Sequence, residues 1–206
     1  MPYGYLGQNQ PNQTVSNSGV FSITDVAELQ SQGKLGGSLE LIAEETFTGL
    51  SVVDFNAIKE SKYDVHYLTL ENIQHTSANK LTYLQFFESG VLETGSVYQY
   101  AEQYGKSDGT FGELKSTANS RIYLTFNDNG TVAGDLESGY VYLYNLGNSS
   151  KYSFLTYQAP FMDNGVFSMS FGGGVLPQAS VVDGIRVNFD TASTDGTIKL
   201  YGVKQL

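Results

Sequence analysis

The sequence predicts an all-β chain: an antiparallel β-sandwich of jelly-roll type with one short N-terminal helix and an extended N-terminal arm. Three observations predict it. Apolar residues recur with a period close to two through most of the chain, the spacing of strands with a buried face. Clusters of Asp, Asn, Gly and Ser, such as NDNG at 127–130 and LGNSSK at 146–151, separate those runs as turns do. The composition, 23 Gly, 15 Tyr and 12 Phe with 16% charged residues, favours strands and turns over helices. A sandwich of 206 residues commonly forms one domain, and the helices that parallel βαβ folds require are missing.

Residues 1–20, MPYGYLGQNQPNQTVSNSGV, are too polar to pack by themselves and read as an arm. Such a segment is either a frayed terminus or a strap on a neighbouring subunit, and Tyr3, Tyr5 and Leu6 are apolar anchors that the second role would use. The single sandwich domain is expected over 21–206. It opens with ITDVAELQSQGKLGG, where Asp25 caps a helix of about two turns, Glu28 is its reciprocal partner, and Gly33 provides the stop.

Strands follow. SLELIAEETF alternates Leu39, Leu41 and Ala43; KYDVHYLTLENI sets Tyr63, Val65 and Tyr67 against His66, Leu68 and Leu70; LTYLQFF sets Leu81 and Tyr83 against Leu84 and Phe86. Similar runs are RIYLTF, GYVYLYNL, KYSFLTYQ, VFSMSF, GIRVNF and TIKLYGV. Gly95 to Thr117 breaks the pattern, with aromatics off any clean period, and is expected to be a long ordered loop with short strands, presenting a contact surface at one end of the sandwich. Its Tyr98, Tyr100, Tyr104 and Phe111 are candidates for holding a glycan or a partner. In the last run Asp195 and Gly196 make a turn, after which Ile198, Leu200 and Gly202 share one face while Lys199, Tyr201 and Val203 share the other.

Two strands are apolar on both faces. Tyr140, Tyr142 and Tyr144 oppose Val141 and Leu143; Tyr152 and Phe154 oppose Leu155 and Tyr157. A sandwich strand needs one apolar face, so the second requires a covering loop, a ligand or another subunit. Tyrosine suits a subunit contact because its ring packs while its hydroxyl stays hydrogen-bonded. Tyr3, Tyr5, Leu6, Tyr140, Tyr142, Tyr144 and Tyr201 are therefore the expected partner-contact residues.

The chemistry-bearing residues point away from catalysis. A net charge of -10 without a basic cluster argues against nucleic acid. No apolar run approaches a bilayer span, and MPYGYLGQNQPNQ lacks a signal peptide's basic start and apolar stretch, so a soluble product made in a cytoplasm is expected. With no Cys there is neither a disulfide nor a thiolate. GKS at 105–107 lacks the upstream glycine of a phosphate loop, and FGGGVLPQ at 171–178 reads as close backbone packing. His66 on a strand and His75 in a polar loop have no ligand at metal-site spacing. Glu44 and Glu45 point to opposite faces, and with Asp54, Glu88 and Glu93 they read as a solvated acidic surface. NDNGTVAGD lacks the ligand spacing of a calcium loop. No catalytic residue, metal or cofactor is expected.

The phrases GVFSITDVAELQSQGKLGGSLELI, LYNLGNSSKYSF and DGTIKLYG resemble small virion structural proteins of tailed bacteriophages, especially those of marine cyanophages, and the resemblance extends over nearly the whole chain. It implies a non-enzymatic β-sandwich displayed on the virion, usually as a trimer, in a head-decoration, collar, fibre or tail position. It also implies other virion proteins as partners and carries over no catalytic residue. The alternative is a receptor-binding tip recognising host surface polysaccharide.

Overall fold

In the computed structural model, residues 23–31, 38–126 and 130–204 are described. The chain divides into two compact units, Met1–Glu40 and Leu41–Leu206. Helix α1, Ile23–Ser31, falls with the first unit and not with the sandwich. It begins two residues before Asp25, which therefore falls within the helix and not at the position that precedes it. Asp is favoured at both places because both adjoin unpaired N–H groups, so residue type alone does not fix the start. Tyr3, Tyr5 and Leu6 of the expected arm, the expected stop at Gly33 and most of the NDNG turn lie outside the described residues.

The second unit consists of strands β1 (Leu39–Leu50, from Leu41 onward), β2 (Val52–Phe55), β3 (Val65–His75), β4 (Tyr83–Glu88) and β5 (Val91–Leu92). Next come β6 (Tyr98–Lys106), β7 (Phe111–Asn119), β8 (Ile122–Tyr123) and β9 (Glu137–Tyr144). The chain then forms β10 (Ser153–Asp163), β11 (Val166–Leu176), β12 (Val182–Asn188) and β13 (Thr194–Val203). Among the described residues these make two mostly antiparallel sheets: eight strands in the order β1-β13-β3-β9-β10-β11-β6-β7, and a smaller sheet β2-β12-β4-β5 with β8 also paired to β4.

One apolar cluster joins the sheets. Leu68, Leu143 and Leu200 enter it from the larger sheet, Phe86, Ile185 and Val187 from the smaller, and Ile58 and Phe189 from connections. Burying each such side chain contributes about 1.5–3 kcal/mol relative to exposure, so these facing rows are what hold the layers together. The strand parity follows the sequence: on β3, Leu68 and Leu70 are buried while Tyr67 and Thr69 face outward, and on β13, Ile198, Leu200 and Gly202 are inward while Lys199, Tyr201 and Val203 are outward.

Three expectations are corrected. Gly95 to Thr117 is mostly a hairpin, β6 and β7, turning at Asp108–Gly109, where Gly109 has φ +91° and Thr110 N–H donates to Asp108 Oδ1 at 2.8 Å. Its period of two is hidden because the inward series Tyr98, Tyr100, Glu102 places a carboxylate where an apolar residue belongs. His75 is the last residue of β3 and fully buried, not in a loop. Asp195 and Gly196 lie within β13 at an irregularity in its pairing with β3, and Asp195 Oδ1 accepts the Gly49 N–H at 2.8 Å.

The three glycines of β11 allow close strand approach. A Cβ on Gly172 would collide with the Ala101 carbonyl, one on Gly173 would lie 2.8 Å from the Leu155 carbonyl oxygen, and one on Gly174 would lie 2.8 Å from Ile122 side-chain atoms. The structural reading of FGGGVLPQ fits this geometry.

Candidate functional site

The outward face of the larger sheet carries its exposed aromatic side chains in register. One row of cross-strand partners runs Tyr201, Tyr67, Tyr142, Thr156, Gly173, Ala101, Lys115, crossing seven strands. A neighbouring row runs Lys199, Thr69, Tyr140, Gln158, Phe171, Gln103, Glu113. On the other side, Tyr144, Phe154, Val175 and Gln99 are partners in turn.

At the β13-β3-β9 end the rows bring tyrosines together around Tyr67. Its ring centroid lies 4.8 Å from Tyr142, 6.0 Å from Tyr140 and 6.1 Å from Tyr201, and Tyr142 lies 6.4 Å from Tyr144. These separations are those of offset and tilted aromatic pairs, each worth about 0.5–1.5 kcal/mol beyond buried area. Burial, and then the neighbouring Tyr142, Tyr140, Tyr201 and Glu71, pushes the Tyr67 phenol above its ordinary range, so it stays a neutral hydroxyl. Beside the cluster, Lys199 Nζ bonds to Glu71 Oε2 at 2.9 Å, Thr69 donates to Glu71 Oε1, and Glu44 lies 4.0 Å from the same ammonium.

At the β10-β11-β6-β7 end the small side chains of Gly173, Ala101 and Thr156 leave a trough of about 860 Å³. Phe154 and Val175 flank it on one side, and a contiguous depression of about 310 Å³ beside Phe171 and Gln103 extends it on the other. Phe154 and Phe171 are 44% and 42% exposed, high for phenylalanines on a strand. Lys115 at the far end is paired with Glu113.

No protein-family model, curated protein or solved structure matches this chain. The site is therefore read from its own geometry.

Of the residues singled out by sequence, Tyr140, Tyr142, Tyr144 and Tyr201 all lie on the outward face. Tyr98 and Tyr100 do not; both are largely buried, Tyr98 completely, and Tyr100 also borders the trough. Tyr98 Oη accepts the Phe86 N–H at 2.9 Å and donates to the Glu93 carbonyl, while Tyr100 packs edge-on against Tyr123. Tyr104 stacks on Phe126, and Phe111 is 80% exposed at the start of β7. Tyr67, Phe154, Phe171, Ala101 and Gly173 define the face and were missed as a group. Tyr67 and Phe154 carried the right parity, but neighbours in a row that crosses the sheet are unreadable until the strand order is known.

Two polar clusters lie in the interior. Thr82 Oγ1 donates to Glu137 Oε2 at 2.5 Å, His75 Nε2 lies 3.7 Å from the same oxygen, and His75 Nδ1 is 3.1 Å from Thr194 Oγ1. All four side chains are buried, so these polar groups pair with one another within the interior. Glu102 is buried beside the Ser170 and Tyr157 hydroxyls; burial raises its carboxyl to about 7, against the lowering effect of those two neighbours. Asp54 forms a two-pronged pair with Arg186 at 2.6 Å, Glu88 accepts from Ser180, and Glu93 accepts from Gly95 and Gln178. Among the described residues no group of three or more His, Asp or Glu side chains could hold a metal ion, and no helix is long and apolar enough to cross a membrane.

Proposed function

We propose that this chain is a non-enzymatic structural protein of a tailed-bacteriophage virion, made in the host cytoplasm and displayed as a homo-oligomer of three copies in a head-decoration, collar, fibre or tail position. The observation that carries the reading is the tyrosine cluster on the outward face of the larger sheet. Five rings packed on one another, with Tyr142 still 36% exposed, form a surface suited to covering by another protein. Other copies of the chain and other virion proteins are the proposed partners.

The strand order supports a jelly roll within this reading. Taking β1, β2, β3, β4, β8, β9, β12 and β13 as an eight-strand frame, the first, eighth, third and sixth lie side by side, and the second, seventh, fourth and fifth do the same. This order is the one a jelly roll would have, a fold that recurs in viral capsid and lectin domains, and it supports that reading. β5–β7 are then an insertion between the fourth and fifth frame strands, and β10–β11 one between the sixth and seventh. Both insertions widen the larger sheet.

Purified particles provide the test. Mass spectrometry of tailed-phage virions banded to homogeneity should find this chain in stoichiometric amount with the other structural proteins. Its absence from particles of the phage that encodes it would overturn the reading.

A further inference from the structure

We propose that the trough across β10, β11, β6 and β7 binds a short neutral oligosaccharide. This site adjoins the tyrosine cluster, Thr156 being the cross-strand partner of Tyr142, and does not depend on the virion reading. Its floor, Thr156, Gly173 and Ala101, crosses three strands, and the trough continues to Lys115 and Thr117 on β7. At the ~4.8 Å spacing of neighbouring strands the floor and its extension span about 14 Å, long enough for a short chain of sugar rings.

The lining selects the chemistry. A sugar ring has an apolar face of C–H groups and a rim of hydroxyls. Phe154 and Phe171 stand on either side of the Gly173 floor, each with much of its ring exposed for that apolar face. Gln99, Gln103 and Gln158, all exposed and all on this outward face, each offer both donor and acceptor to hydroxyls. Thr156 Oγ1 adds a hydroxyl already oriented by Tyr144 Oη at 3.2 Å.

Charge excludes the main rivals. The chain carries -10 overall, and Lys115, the cation at the trough, has the Glu113 carboxylate beside it, so an anionic ligand meets a site with no net positive charge. A peptide added as a further strand needs unpaired backbone N–H and C=O groups; β10, β11 and β6 each pair on both sides, and β7 offers them only along the sheet edge, outside the trough floor. The ligand must be recognised by side chains, and an uncharged polyol matches aromatic rings set among amides.

The full chain is titrated calorimetrically with cellohexaose, maltohexaose, laminarihexaose and mannohexaose, and with polygalacturonate and chondroitin sulfate as anionic probes. At least one neutral hexaose should bind one per chain, and Phe154→Ala and Phe171→Ala should each weaken it by about tenfold. Ala101→Trp should fill the floor and abolish binding, whereas Phe167→Ala, a 46% exposed ring outside the trough, should leave affinity unchanged. Thermal melting of each variant establishes that it is folded. The proposal is overturned if no neutral hexaose binds, if only the anionic probes bind, or if folded Ala101→Trp retains affinity. A change of oligomeric mass in Ala101→Trp would likewise overturn it, by assigning the trough to a contact between copies.

Discussion

Tyrosine shows how far residue type reaches and where neighbours must decide. Tyr142 and Tyr98 are the same side chain at inward and outward extremes: Tyr98 is sealed in the core with both hydrogen-bonding roles of its hydroxyl used, whereas Tyr142 stands on the outward face. Parity along GYVYLYNL was enough to place Tyr142, because Val141 and Leu143 claim the core. Parity failed for Tyr98 and Tyr100 because the third member of their inward series is Glu102, and a carboxylate at a core position disguises the strand. That carboxylate yields a pH prediction. The folded chain keeps the Glu102 proton until about pH 7, whereas the unfolded chain releases it near the ordinary 4.5. Stability should therefore fall as pH rises between those values, by about 3 kcal/mol in all, and level off above them. Burial of His66 lowers its pKa and acts in the opposite sense, weakening the fold as pH falls below 6.5. Glu102→Gln isolates the first effect: denaturant midpoints at pH 5 and pH 8 should show the variant gaining on the parent as pH rises. A constant difference would mean that Glu102 is charged in the folded chain.

Elements fail or hold according to what their neighbours allow. In β11 the glycine run was legible as close packing, and the structure adds which obstacle each glycine avoids. Gly172→Ala drives a methyl into the rigid Ala101 carbonyl, while Gly174→Ala meets the movable Ile122 side chain. The first should cost about 1–3 kcal/mol in chemical denaturation and the second less; the reverse order would mean that β6 and not β8 yields at this site. On β13 the two outward residues differ in what they touch. Tyr201 packs on Tyr67 in the tyrosine cluster, whereas Lys199 makes ion pairs of the exposed kind, which contribute little. Tyr201→Asp should thus weaken self-association far more than Lys199→Asp, read as a dilution midpoint in sedimentation. Equal shifts would place the contact elsewhere on the sheet. Short elements are the hardest to read: β5, two residues long, has no periodicity to detect, β8 covers only two residues of the run RIYLTF, and the polar QHTSANK hides the inward-facing His75 at the end of β3.

At the scale of the whole molecule, the alternating pattern was sufficient for an all-β, two-sheet architecture, but not for strand order. Strand order depends on pairings between segments as distant as β3 and β13, and it is what gathers Tyr67, Tyr142 and Tyr201 from three separate parts of the chain. It also explains the chain's excess of exposed aromatic residues: β10–β11 and β6–β7 extend the larger sheet, and their outward faces bear Phe154 and Phe171. One sheet face then presents two surfaces, a tyrosine cluster proposed to meet other copies and a trough proposed to meet sugar. The claim on which the account rests is that the tyrosine cluster is covered by self-association. Light scattering at micromolar concentration tests it most directly: the account predicts three times the 22.5 kDa chain mass for the parent and a folded 22.5 kDa species for Tyr142→Asp. A parent that remains at 22.5 kDa, or a folded Tyr142→Asp variant that keeps the parent's higher mass, would contradict it.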